Sequence, residues 1–364
     1  WLLTVGPTAG VDPESFIHSK FIIIWACNSV STNLHHWHII KEAQKNGAKV
    51  VVIDAYASKT AKEADWHVCP KPGTDGALAM AMMNVIIGEG LVDQDYVDNY
   101  TVGYAELAEK ALTRTPEWAA AITGIPADDI RKLAREYATT QPSAIRIGVA
   151  LEKSWGGGQA IRAVTSLPAL TGAWRHVGGG ILQFPVWEHP YKFDVICRPD
   201  LIPKGTQVVN NLQLGRVLTG EQKLAVPIKS MMCWNTNPVT QATESEKILE
   251  GLSREDLFMV SAEHFISDTA AYADILLPAS MGAEQEDIIL SWGHLYLTYN
   301  TKCIESPGEA IPNNEIFRRL AKRLGFEEEN FISYLRELLD LENQLEKAKF
   351  SAMRERSIGL GAMG

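Results

Sequence analysis

Residues Phe21–Trp25 form an unbroken apolar run between Lys20 and the polar stretch Cys27, Asn28 and Ser29. A short run without alternation predicts a strand buried on both faces. Over 33–45, Ile39, Ile40 and Ala43 fall at helical spacing and predict a helix with those residues inward and Gly47 as its stop. A second apolar run, 50–53, is closed by Asp54. Strand, helix and strand in that order predict a right-handed crossover unit of a parallel sheet, which places ligands at the carboxyl ends of its strands. Pro72, Gly73, Thr74 and Asp75 then predict a turn into a nearly uncharged helix over 76–87, with Thr74 as its cap. Further helices are predicted after Thr115, with Pro116 in the first position, and over 126–139, followed by a strand over 144–149.

Beyond that strand the pattern changes. Gly156, Gly157 and Gly158 precede a mostly apolar helix over 159–171, Gly178, Gly179 and Gly180 interrupt the chain again, and 183–223 shows little periodicity. The expected organisation is a first α/β domain over 17–150, a glycine-rich and irregular connector over 151–226, a second α/β domain over 227–340 and a helical tail over 341–364.

The two halves are related. Displacing the chain against itself by 209 positions aligns Trp25, Asn28, Val30, Ile39, Val51, Ser58, Thr60, Ala61, Ala64 and Asp65 with Trp234, Asn237, Val239, Ile248, Val260, Ser267, Thr269, Ala270, Ala273 and Asp274 without a gap. Asp54 falls opposite Glu263. Both copies read as strand, Asn-bearing loop, helix, strand, acidic residue and Thr-Ala-x-x-Ala-Asp, which predicts two related doubly wound nucleotide-binding-type domains, mostly parallel sheets with helices on both faces. A carboxylate at the end of the second strand can accept hydrogen bonds from a ribose or a purine, and an Asn in the first loop can help hold a phosphate. Neither copy carries G-x-G-x-x-G, and G-x-x-x-x-G-K-S/T is absent, so neither a simple NAD domain nor a P-loop is indicated. A purely architectural repeat, with Asp54 and Glu263 closing local turns, stands as the alternative.

Composition narrows the partners. The formal charge of -10, from 34 basic and 44 acidic residues, speaks against a broadly basic nucleic-acid face. Five scattered cysteines without a C-x-x-C pair fit reduced thiols in a cytoplasmic protein rather than a disulfide framework or an iron–sulfur cluster. No apolar run of 18 residues occurs, so direct membrane insertion is not expected.

Taken in order, Ile24, Trp25, Ala26, Cys27 and Asn28, the strand end at Asp54, Pro72 to Asp75, Leu170 to Gly172 with Gly178 to Gly180, Asn237 and Pro238, Thr269 to Asp274, Leu276 to Pro278, Glu286 and Gly308 resemble the molybdopterin oxidoreductase family, the group that includes dimethyl sulfoxide reductase and formate dehydrogenase. The resemblance spans about 17–326 and implies two molybdopterin guanine dinucleotides around one molybdenum or tungsten, each dinucleotide tail held by one α/β domain. It implies Asn28, Asp54, Thr74 and Asp75 at one nucleotide, and Asn237, Pro238, Glu263, His264, Thr269 and Asp274 at the other. Asp75 can accept from the guanine N1–H and exocyclic amine together, which favours guanine over adenine. The residues upstream of Phe21 do not match the family's metal-ligand position, so no metal ligand and no catalytic residue is assigned. The expectation is therefore a central portion of an oxidoreductase, inactive and with empty cofactor pockets when isolated, with the missing N-terminal and C-terminal regions, an iron–sulfur electron-transfer subunit and a small-molecule redox substrate as partners. The alternative is a non-catalytic nucleotide-binding or scaffold portion used in assembly.

Overall fold

A computed structural model describes residues 1–6, 10–183, 185 and 197–326; the tail expected over 341–364 lies outside them. The described residues divide into two compact units. One contains those before residue 192 together with Leu290–Leu297, and the other contains 197–289 with the residues from 298 onward.

The first unit is built on strands β1 (Phe21–Trp25), β2 (Lys49–Ile53), β3 (Trp66–Val68), β4 (Ser143–Ile147) and β5 (Gly180–Leu182), in the order β3-β2-β1-β4-β5 with every pair parallel. Central β1 is buried along its whole length, and its side chains alternate between two cores. Phe21, Ile23 and Trp25 join Val51 and Ile53 in a core shared with the helices Asp75–Gly88, Ala127–Thr139 and Gly157–Leu170, while Ile22 and Ile24 join Val50 and Val52 against helix Leu34–Lys45. Both faces exclude water, which is why the strands read as continuous apolar runs rather than as alternation.

Local chemistry sets the helix ends. Gly47, at φ +91°, turns the chain out of Leu34–Lys45 and into β2. Thr115 accepts a hydrogen bond from Trp118 N–H at 3.2 Å and caps Pro116–Thr123 as predicted. Thr74 occupies the cap position of Asp75–Gly88, but its hydroxyl donates to Lys71 O at 2.6 Å and makes no capping bond. The inward stripe of Leu34–Lys45 also differs from expectation: His36, Trp37, Ile40 and Ala43 are buried and Ile39 only partly. Trp37 carries the largest apolar surface on the helix, and its burial rotates the face by one position. From the expected connector over 151–226, helix Gly157–Leu170 and β5 fall within the first unit, where they extend its sheet and cover it.

The second unit contains β6 (Ser230–Trp234), β7 (Phe258–Glu263) and β8 (Ile275–Pro278), parallel and in that order. Cys233 and Met259 pack with the helices Leu214–Leu218 and Ser245–Leu252, and Ala262 and Ala279 pack with Ile316 of helix Asn313–Arg323. Strands β9 (Asp287–Ile289) and β10 (Thr298–Asn300) form a separate antiparallel ladder. The protein is thus mixed α/β with mostly parallel sheets, and among the described residues the second sheet has three strands where the first has five.

Candidate cofactor-binding site

The carboxyl end of the first sheet collects the residues singled out in the first half of the sequence. Beyond β1 the backbone enters the left-handed region at Ala26, φ +51°, and Ala26 N–H donates to Ile53 O at 2.8 Å. This tight exit requires Gly148 alongside: a Cβ there would stand 1.9 Å from Ala26 O and 3.1 Å from Cys27 Cα. The exit delivers Asn28, half-buried, to the loop crest. Its Oδ1 accepts from Thr60 Oγ1 at 2.9 Å, and Thr60 Oγ1 in turn accepts from Val30 N–H at 3.0 Å. Its Nδ2 reaches the Tyr56 hydroxyl at 3.4 Å, a long contact, and the amide remains partly open to solvent.

Asp54 follows β2 and is half-buried at the same edge. Burial pushes its carboxyl above the ordinary carboxylate range, the neighbouring charge of Asp75 adds to that shift, and the Tyr56 and Ala55 N–H groups and His67 oppose it. His67 Nε2 donates to Asp54 O at 2.9 Å and ties β3 to this turn. Asp75 begins helix Asp75–Gly88, where the helix dipole favours a carboxylate. Trp25 Nε1–H donates to Asp75 Oδ1 at 2.8 Å. The fully buried Trp25 ring packs the end of β1, and its N–H also fixes one oxygen of Asp75. Asn28, Asp54, Thr74 and Asp75 therefore lie at the carboxyl end of the first sheet as an open amide, two carboxylates close enough for the charge of one to act on the other, and a hydroxyl bound to its own turn.

The second unit repeats much of this geometry. Asn235, 209 positions after Ala26, is also left-handed at φ +54°. Asn237 Oδ1 accepts from Thr269 Oγ1 at 2.6 Å, and Thr269 Oγ1 accepts from Val239 N–H at 3.0 Å. Pro238 is buried at the first position of the short helix Pro238–Gln241. Glu263 ends β7, half-buried, with Oε1 accepting from His264 N–H at 2.8 Å, while His264 Nε2 donates to Ser280 O at 2.9 Å. Asp274 Oδ2 accepts from Met259 N–H at 2.7 Å, as Asp65 Oδ2 does from Val50 N–H at 2.7 Å. Ser58 and Ser267 accept from Ala61 and Ala270 N–H, each at 3.2 Å. The turns are thus capped by the serines, and Thr60 and Thr269 brace the Asn loops.

Two features escaped the sequence reading. One is the bond from Trp25 to Asp75, although the recurrence of Trp25 at Trp234 signals more than bulk. Arg146 is the one charge in the otherwise uncharged run of β4; it is almost wholly buried, with Nη1 donating to Ile147 O at 2.9 Å and Leu182 O at 3.3 Å. Its charge, together with burial as the larger cause, pushes the imidazole of His36 down to about 3. A separate cavity of about 400 Å³ in the first unit is lined by Ser31 to His35 and Leu290 to Trp292 and includes none of the predicted site residues. Among the described residues, no three His, Cys, Asp or Glu side chains converge as a metal site, and no helix is long and apolar enough to cross a membrane.

The family model described as molybdopterin oxidoreductase matches residues 8–323. The chain is 43% identical over 324 residues to the probable oxidoreductase YoaE of Bacillus subtilis (strain 168), a match covering 89% of this chain and 47% of that protein. It is 31% identical to the probable dimethyl sulfoxide reductase chain YnfF of Escherichia coli (strain K12), covering 88% of this chain and 45% of the other. Among solved structures, acetylene hydratase from Pelobacter acetylenicus aligns with a TM-score of 0.72 at 26% identity, covering 92% of this chain and 50% of the other. The chain spans about half the length of these relatives. It belongs to the molybdopterin oxidoreductase family.

Proposed function

We propose that these residues form the central cofactor-binding part of a bis-molybdopterin guanine dinucleotide oxidoreductase, in which two related doubly wound domains each take one guanine dinucleotide tail. The observation that carries the reading is the duplicated loop: a left-handed exit from the strand, an Asn held by a Thr, and a half-buried carboxylate on the neighbouring strand. The donor set fits the group. Asp54 and Asp75 are neighbouring acceptors, and guanine offers adjacent N–H donors where adenine does not. Trp25 holds one Asp75 oxygen and so orients the carboxylate before a base arrives. Asn28 Nδ2 supplies a donor for a phosphate oxygen beside the short helix that follows it. In the second unit Asn237 and Glu263 take the corresponding places, with Pro238, His264, Thr269 and Asp274 holding the loops around them.

When bound, the cofactor supplies the redox chemistry of molybdenum or tungsten, and the residues described here position it. An iron–sulfur electron-transfer subunit, a small-molecule redox substrate and a cytoplasmic setting complete the proposal, with the catalytic residues and metal ligand outside the assigned set. A scaffold reading draws support from one observation: Asn28, Thr60, Asp65 and their counterparts spend much of their hydrogen-bonding capacity bracing their own fold. The full-length protein, expressed in a host that makes the cofactor, should contain molybdenum or tungsten with two pterin dinucleotides per metal. Folded protein containing neither metal nor pterin would favour the scaffold.

A further inference from the structure

The strand-end carboxylates share more than their position. Asp54 and Glu263 each accept from the N–H of the next residue, Ala55 and His264, and the chain then turns in the same way. Ser58 N–H donates to Tyr56 O at 2.8 Å, and Ser267 N–H donates to Phe265 O at 2.9 Å. Tyr56 and Phe265 are themselves 209 positions apart, so each unit carries an aromatic residue two positions after its carboxylate. Both are largely open to solvent, Tyr56 at 59% and Phe265 at 71% exposure. Single exposed apolar side chains are ordinary, but a ring left outside the core at the same turn of both units asks for a ligand rather than for packing.

Tyr56 reaches across the first site. Its N–H bonds to the Asp54 carboxylate, and its hydroxyl lies 3.4 Å from Asn28 Nδ2. The side chain therefore spans the interval between the acceptor assigned to the base and the amide assigned to the phosphate. Phe265 has no hydroxyl; His264, anchored through Nε2 to Ser280 O, meets it edge-on with ring centres 6.4 Å apart. An aromatic face beside a carboxylate suits a purine, because every base has a π-face to stack while the carboxylate reads the donors on its edge. We infer that Tyr56 and Phe265 are the platforms on which the two units stack the base of a guanine nucleotide. The inference rests on the cofactor-binding reading above and divides its labour: the rings supply affinity common to all bases, and the carboxylates supply the preference for guanine.

Calorimetric titration with GDP and with ADP separates the two parts. Tyr56→Leu combined with Phe265→Leu should weaken both nucleotides alike, each by about tenfold or more, and leave their ratio unchanged. The melting temperature should stay where it is, since both side chains lie outside the core. Each single leucine variant should show the same loss at one of two sites, so the test does not depend on the double variant folding. Tyr56→Phe keeps the face and loses only the long contact to Asn28, and should bind GDP as the unaltered chain does. Leucine variants that bind GDP as tightly as the unaltered chain overturn the inference and leave the carboxylate reading standing, as does a loss confined to GDP. An unaltered, folded chain that binds neither nucleotide overturns both.

Discussion

In the proposed site Asp75 has two roles, opening a buried helix and leaving one carboxylate oxygen for the nucleotide while Trp25 holds the other. Asp75→Asn keeps an acceptor for the indole but replaces half of the carboxylate with a donor facing guanine donors. Affinity for GDP should fall about tenfold to a hundredfold by calorimetry, the scale of a charged hydrogen bond, with the melting temperature little changed. Asp54 sets the pH dependence. Because its folded pKa is raised, the folded state favours the neutral acid, and its contribution to stability declines as pH rises from the ordinary carboxylate range through the raised value. Nucleotide affinity should run the other way, rising as Asp54 ionises, and Asp54→Asn should flatten both dependences. His36 has the opposite sign, for its folded pKa is pushed down to about 3 while the unfolded imidazole titrates normally. Stability is fully present above the unfolded value and is lost as pH falls toward 3. Between pH 8 and pH 5 this one group should cost about 2 kcal/mol in denaturant titrations, and His36→Leu should remove that component.

At the scale of elements, the duplicated braces explain why the repeat is visible at all. Thr60 and Thr269 each join an Asn side chain to a backbone N–H two residues after it, so Thr60→Val leaves the Val30 N–H and the Asn28 carbonyl without this partner. A loss of about 1–3 kcal/mol is expected for either Thr→Val change, measured by denaturant unfolding. Gly148→Ala should be more damaging, because its Cβ would meet the Ala26 carbonyl at 1.9 Å and push apart the ends of β1 and β4. Strands β1, β2 and β4 were legible in sequence because both of their faces are buried, and Asp54 and Asp75 because each follows an unmistakable strand or turn signal; the three-residue β3, only partly buried, was not. The bond between Trp25 and Asp75 was not legible, since it joins residues 50 positions apart and depends on how helix Asp75–Gly88 sits on the sheet. Nor was the contribution of Gly157–Leu170 and β5 to the first sheet, because glycine triplets that read as chain breaks turned out to permit close packing: a Cβ on Gly179 would lie 2.2 Å from Ala173 O.

At the scale of the whole molecule, each unit presents an Asn loop and a carboxylate at the carboxyl end of a parallel sheet, and the matched span covers 47% of the relative YoaE. That one nucleotide class should satisfy both units is predicted by the Asn, Thr and carboxylate positions they share. The most direct test of the central claim is calorimetric titration of the 364-residue chain, shown to be folded by circular dichroism, with GDP and separately with ADP. Saturable GDP binding at least about tenfold tighter than that of ADP, and weakened in Asp75→Asn, is the predicted result. Folded protein that binds neither nucleotide, or binds both equally, would contradict it.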